Sequence, residues 1–341
     1  MPVRLFIIFA LLIILLFFSN LLTGSVPIPA GAILDMLLGG IPEKRAWGHI
    51  LFESRLPQTL TALLAGGGIA VSGLLLQTTF RNPLADAGIL GISAGASLGV
   101  ALVILFFGGF IGGATTFYLP SSIAVVSGAF IGSAFILAVI LGFASVVRNS
   151  IMLLIIGIMV GYLTSSVISL LKYWSTSDNV FSYTVWGMGD FSGVPVAQLP
   201  FFCTAVSAGL ALSVFLIKPL NALLLGERYA ANLGVNVKMV RLLLLLCAGA
   251  LTAITTAYCG PVSFIGLAVP HIARMLLGTS DHKSLLPVTI LIGACMALLC
   301  NLITALPVFG GTLPLNAITP VFGAPVIIYV IVNQKKIQYF N

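Results

Sequence analysis

Side chains able to do acid–base, nucleophilic or metal chemistry are scarce in this chain: 8 Asp and Glu, 3 His and 5 Cys among 341 residues. Their spacing excludes the common catalytic constellations. No GxxxxGK[ST], HExxH or GxSxG run occurs, nor any paired-carboxylate arrangement. His49, His271 and His282 lie near the ends of apolar runs or between them. Cys203, Cys247, Cys259, Cys295 and Cys300 fall in or at the ends of such runs without metal-ligand spacing, and read as small buried hydrophobes. The chain is expected to hold no catalytic residue, no metal and no cofactor of its own.

The carboxylates carry a second exclusion. A proton- or sodium-coupled carrier keeps an ionisable group inside the bilayer, where it is costly and retained for ion traffic. Asp35, Glu43, Glu53, Asp86, Asp178, Asp190, Glu227 and Asp281 all map to loops or span ends. The energy source is therefore expected outside this chain.

One segment suits recognition instead. Between Lys218 and Arg241 runs Gly226-Glu227-Arg228-Tyr229-Ala230-Ala231-Asn232-Leu233-Gly234. Glycines bracket a short helix-competent piece whose Ala230, Ala231 and Leu233 could enter a groove of a soluble partner while Glu227 and Arg228 stay wet. Taken alone, the segment reads more readily as a solvated linker than as a docking helix.

The elements that must position these residues belong in lipid. Apolar residues reach 60% and charged ones only 7%, against roughly 45 to 50% and a quarter in soluble domains. A span needs about 20 apolar residues, and unpaired backbone amides forbid open strands in hydrocarbon. The composition predicts an all-α integral membrane protein forming one domain over 1–341.

Apolar runs at about 3–22, 57–79, 88–107, 118–142, 151–171, 196–217, 241–259, 262–278, 285–306 and 317–333 give ten predicted spans. Pro261 and Pro270 interrupt the eighth. The first run is too long, and Ala30-Gly31-Ala32 too distant, for a cleaved signal, so it reads as a retained helix. With the N-terminus inside, the inner segments carry Arg4, Arg81, Arg148, Lys218, Arg228, Lys238, Arg241, Arg274, Lys283, Lys335 and Lys336, and the outer ones Lys44, Arg45, Arg55 and Lys172. Eleven against four predicts cytoplasmic termini and leaves the net charge of +7 no need of a nucleic-acid partner.

Gly66-Gly67-Gly68, then Gly91, Gly95 and Gly99, then Gly108 and Gly112 suit close helix packing in lipid. Two Pro-broken stretches look distantly alike: Asn82-Pro83 followed by Gly88-Ile89-Leu90-Gly91, and Gly260-Pro261 followed by Phe264-Ile265-Gly266-Leu267. They face opposite sides, as an inverted repeat would place them.

These residues carry a family resemblance. Arg55-Leu56-Pro57, Ser72-Gly73-Leu74-Leu75-Leu76-Gln77, Arg81-Asn82-Pro83-Leu84-Ala85, Leu225-Gly226-Glu227, Gly260 to Leu267, Pro270-His271-Ile272-Ala273-Arg274 and Asp281-His282 together resemble permease subunits of the FecCD or BtuC type. These are membrane subunits of ABC importers for iron-siderophores, haem and cobalamin. The resemblance implies ten helices in the type II importer fold and a homodimer around a central path in a bacterial inner membrane. It implies two cytoplasmic ATPase subunits holding ATP and Mg, and an extracytoplasmic binding protein. It makes Gly226 to Gly234 the coupling helix, places Asn82, Leu84, Asn149 and Ser150 at the cytoplasmic gate, and leaves His271, Arg274 and His282 in structural or interfacial roles.

Departures from the family pattern fall at the outer face. Gln58 stands where the family commonly has Arg, and Asn301, Ala305 and Thr312 where it has Asp, Arg and Glu. Of the arginines that receive the binding protein's acidic residues, only Arg55 is kept. Docking is then less electrostatic, or rebuilt around Lys44, Arg45 and Lys172. The competing readings are an ion-coupled secondary carrier, a membrane-embedded enzyme and a purely structural subunit.

Overall fold

The computed structural model of the protein describes residues 2–108, 121–147, 150–306 and 313–333. Among them are helices and turns and no strand. The helices are α1 Pro2–Leu22, α2 Ala30–Leu37, α3 Arg45–His49, α4 Leu56–Phe80, α5 Ile92–Ala101, α6 Ser121–Val146, α7 Ser150–Trp174, α8 Ser177–Gly187, α9 Leu199–Phe215, α10 Ile217–Leu224, α11 Glu227–Asn232, α12 Val237–Cys259, α13 Ile265–Leu277, α14 His282–Thr304 and α15 Leu315–Val332. A π-helical stretch over Ile50–Arg55 joins α3 to α4, and another over Leu102–Phe107 prolongs α5. Gly112, Arg148, Asn149, Thr312, Lys335 and Lys336 lie outside the described residues.

Eight of the described helical stretches are long and apolar enough to cross a membrane, and Ile92–Phe107 and Ile265–Leu277 are shorter apolar ones. Together they match the ten expected spans. α13, with 13 residues, is only about 20 Å long and cannot cross a hydrocarbon layer of about 30 Å.

Packing is centred on α4. From Ala65 to Phe80 each of its residues is buried, against α14, α12, α13 and α9. Without a hydrophobic drive between helices in lipid, small residues must let backbones approach. A Cβ on Gly73 would overlap the carbonyl of Gly266 on α13, and one on Gly66 would overlap that of Gly293 on α14. Any larger side chain at these two positions forces the helices apart. By contrast, α1, α7 and α15 present Ile, Leu, Val and Tyr outward, as lipid-facing helices must.

The two Pro-broken turns leave from opposite ends of this bundle. The turn after α4 starts beside the α11 segment, where a Cβ on Gly226 would stand 3.7 Å from Nη1 of Arg81. The turn after α12 starts at the other end, where the Cys259 carbonyl accepts the Asp190 amide at 2.9 Å. Arg81 (φ 46°) and Phe264 (φ 67°) are the non-glycine residues with positive φ among those described. Bulky residues rarely adopt that conformation, and here one stands in each broken turn.

Candidate coupling and gating site

At the end of the bundle holding the 218–241 segment, Leu220 and Leu223 of α10 are buried against α4 and α14. Gly226, with φ 104°, then reverses the chain into α11. The Ala230 amide bonds the Gly226 carbonyl at 2.9 Å, and the Val235 amide returns to the Ala230 carbonyl at 3.1 Å, closing a compact unit. Ala230 is fully buried, whereas Tyr229, Ala231, Leu233 and Gly234 are exposed together with Arg228. The segment is therefore a rigid knob whose apolar outer face is Tyr229, Ala231 and Leu233.

Two expectations are corrected here. Ala230 packs inward and cannot reach a partner's groove. Glu227 is not simply wet: its carboxylate pairs with Arg241 of α12, a side chain left with only 8% exposure. That ion pair fastens α11 to α12 while the Glu227 side chain keeps 41% exposure, and Arg228 faces solvent beside it.

The turn after α4 is held from several sides. Asn82 Oδ1 accepts the Leu84 amide at 2.9 Å, and the Asn82 amide caps the Gln77 carbonyl at 3.1 Å. His271 Nε2 donates to the Pro83 carbonyl at 2.7 Å, and Arg274 Nη1 donates to Gln77 Oε1 at 2.8 Å. Both last donors come from α13. Leu84 remains exposed. Of the second gate pair, Asn149 is outside the described residues and Ser150 opens α7.

Beyond Leu84 the turn runs back between the spans. Asp86 Oδ1 accepts the Ala87 amide at 2.5 Å and lies 3.2 Å from where a Gly266 Cβ would stand, at the N-terminal turn of α13. Reading Asp86 simply as a loop residue misses this, because the turn doubles back to meet a second broken span. A cavity of about 210 Å³ lies here, lined by Asp86, Ser93, Thr252, Thr256, Ser263 and Phe264 among others.

Sequence reasoning assigned no partner to one further cluster. On α14, His282 Nδ1 lies 2.8 Å from Oδ1 of Asn221, which also accepts the His282 amide at 2.9 Å. His282 Nε2 meets the Thr78 hydroxyl at 2.9 Å. Asn221 Nδ2 donates to Asp281 Oδ1 at 2.6 Å. The Lys283 amide and this Asn221 amide hold the Asp281 carboxyl below its ordinary pKa. The Asp281-His282 pair in the sequence was the available signal.

At the opposite end, Arg55 is buried and its guanidinium donates to the carbonyls of Leu21 (2.8 Å), Leu22 (3.2 Å) and Val26. It closes the C-terminal end of α1 rather than facing outward. Lys44 and Arg45 are exposed, with Lys44 Nζ 5.0 Å from the Trp47 ring centre. Lys172 Nζ lies 4.8 Å from the Tyr183 ring centre and is half-buried. Gln58 Nε2 donates to Asn301 Oδ1 at 3.0 Å, and Asn301 Nδ2 to Asn20 Oδ1 at 2.8 Å. Two of the departures from the family pattern thus touch one another.

A bundle of apolar helices long enough to cross a membrane, interrupted by two Pro-broken turns, has the build of a transport permease. Residues 11–333 match the family model of the FecCD transport family, and the chain belongs to that family. It is 34% identical over 321 residues to the hemin transport system permease protein HmuU of Yersinia pestis, covering 92% of each chain. It is 35% identical over 287 residues to the vitamin B12 import system permease protein BtuC of Citrobacter koseri, covering 84% of each. Among solved structures, an inward-facing metal-chelate type ABC transporter superposes with a TM-score of 0.82 at 29% identity, over 97% of this chain and 99% of that one. The protein is thus a permease of the family of metal-chelate, haem and cobalamin ABC importers, a transport subunit without catalytic activity of its own.

Proposed function

We propose that this chain forms, as a homodimer, the translocation path of an ATP-driven importer for an iron-siderophore, haem or cobalamin-like chelate. It works in a bacterial cytoplasmic membrane with two ATPase subunits, which hold ATP and Mg on the inner face, and with an extracytoplasmic binding protein. The observation that carries the reading is α11: a short helix, pinned by Glu227 to Arg241, that presents Tyr229, Ala231, Leu233 and Arg228 at the face rich in basic residues. A helix laid on the surface with an apolar face outward suits a groove in a soluble partner. ATP-driven closure of the ATPase pair then pushes on α11 and tilts the bundle.

Size argues for the dimer. The cavity at the broken spans, about 210 Å³, is smaller than the roughly 300 to 1,000 Å³ of pockets for drug-sized ligands. A path completed by a second copy would supply the room that a metal chelate needs. At the outer face, docking falls to Lys44 and Arg45, while Arg55 steadies the loop that leads to them.

One observation favours an ion-coupled carrier: the Asp86 carboxylate lies between two broken spans, where ionisable groups often serve ion traffic. Its bond to the Ala87 amide and its place at the first turn of α13 suit a helix-capping anion equally well.

Proteoliposomes decide between these. With the ATPase and binding protein, the chain should concentrate chelate only when ATP is supplied, and Arg228→Ala with Leu233→Ala should abolish uptake while the permease still assembles. Concentrative uptake by the lone chain, dissipated by an ionophore, would overturn the proposal.

A further inference from the structure

We propose that Asn221, His282 and Thr78 form a positioning relay that conveys displacement of α11 to the gate turn at Asn82–Leu84. The inference rests on the coupling role of α11 proposed above and on the gate role that the family resemblance gives Asn82 and Leu84, and adds how movement of α11 reaches that turn.

The chain of contacts is continuous. α10 ends at Leu224 and α11 starts at Glu227, so only Leu225 and Gly226 separate them. The Gly226 amide bonds the Leu223 carbonyl at 3.0 Å, which ties the reversal to the end of α10. On α10, Leu220 and Leu223 pack by apolar contact, which is non-directional and tolerates sliding. Asn221, on the same short helix, is the directional contact. Its Oδ1 accepts two N–H groups of His282, and its Nδ2 is committed to Asp281.

Because Asn221 Oδ1 has no proton to give, His282 Nδ1 is the donor there, which leaves Nε2 for the Thr78 hydroxyl. Thr78 sits three residues before Arg81, and the Arg81 amide bonds the Thr78 carbonyl at 3.2 Å. From Arg81 the chain enters Asn82-Pro83-Leu84 directly. His282 is 1% exposed and Thr78 likewise. The Thr78 hydroxyl also reaches the Leu74 carbonyl of its own helix at 3.0 Å, but the buried His282 ring is held by Thr78 and Asn221 and loses a partner if either separates, which couples α10, α14 and the end of α4.

Gln77 and Arg274 join the same turn of α4 to α13, and His271 of α13 holds the Pro83 carbonyl. A displacement that reaches Thr78 therefore reaches both sides of the gate turn.

The test reads uptake per ATP hydrolysed by the full complex in proteoliposomes and, in a parallel set that carries Leu84→Cys, labelling of that reporter thiol by a membrane-impermeant maleimide from the inner face. Asn221→Ala and Thr78→Val should each lower uptake per ATP hydrolysed by about fivefold or more and abolish the nucleotide-dependent change in labelling of the reporter thiol. Thr78→Ser, which keeps the hydroxyl, should restore both. An unchanged uptake-to-hydrolysis ratio in Asn221→Ala and Thr78→Val would overturn the relay. Loss of assembly in every variant, Thr78→Ser included, would also overturn it by assigning the cluster to folding alone. Arg228→Ala with Leu233→Ala separates the two ideas: if that pair uncouples transport and the relay variants do not, α11 keeps its role and the relay falls. If the pair leaves uptake intact, the coupling role itself fails.

Discussion

A carboxamide triad replaces charge at the outer end of the spans. Gln58, Asn301 and Asn20 form one hydrogen-bonded chain, at positions two of which the family pattern gives as Arg and Asp. An Arg and an Asp at this distance would attract one another, and here neutral amides meet in their place. Asn301 is 3% exposed, and a lone carboxylate there would be a buried charge without a counterion. Asn301→Asp should therefore destabilise the protein by about 3 kcal/mol, and adding Gln58→Arg should recover more than half of it. Thermal unfolding of the four members of this cycle in detergent measures the coupling. Additive effects would show that the pair does not communicate.

Among the elements, the long spans were legible because bilayer thickness dictates a run of apolar residues, and α1, α4, α9, α12 and α14 fall where that rule puts them. Shorter helices were not. α8 carries too few apolar residues to register as a span, yet the Thr176 hydroxyl caps it by accepting the Asn179 amide at 3.5 Å, a signal present in Thr176-Ser177-Asp178-Asn179. α13 begins at Ile265, three residues later than expected, because Gly260 to Phe264 is held extended and turned by a residue distant in sequence. Asn316 Nδ2 donates to the Pro261 carbonyl at 2.6 Å and the Gly187 carbonyl at 3.2 Å, while its Oδ1 accepts the Ser263 amide at 3.1 Å. No local pattern reveals a partner 53 residues away. Asn316→Ala should cost about 2 kcal/mol by orphaning these groups, read as a lowered unfolding temperature. An unchanged value would mean that the turn is set by Pro261 and Gly260 alone. Among candidate site residues, the short helix between Gly226 and Gly234 was legible, but which of its residues point outward was not: at six residues, α11 is too short for periodicity to orient.

For the whole molecule, one helix is covered on all sides while its neighbours face lipid. α4 carries Thr59, Thr61, Ser72, Gln77, Thr78 and Thr79, all buried, and their covers come largely from α12, α13 and α14, much later in the chain. Ser72 Oγ donates to the Ala248 carbonyl at 2.9 Å, and Gln77 Nε2 to that of Leu267 at 3.2 Å. During synthesis these groups wait in the membrane without their final partners. A ribosome-released fragment ending after α9 would leave a hydroxyl-lined stripe and the glycine seam open to acyl chains. Such a fragment is expected to be cleared by membrane proteases far faster than the full chain, and supplying residues 217–341 as a separate polypeptide should protect it. Pulse-chase turnover of the fragment, with and without the second piece, checks this, and equal lifetimes would refute it. On this expectation the last third of the chain serves as an intramolecular chaperone for what precedes it, and stable residence in the bilayer follows only once translation is complete.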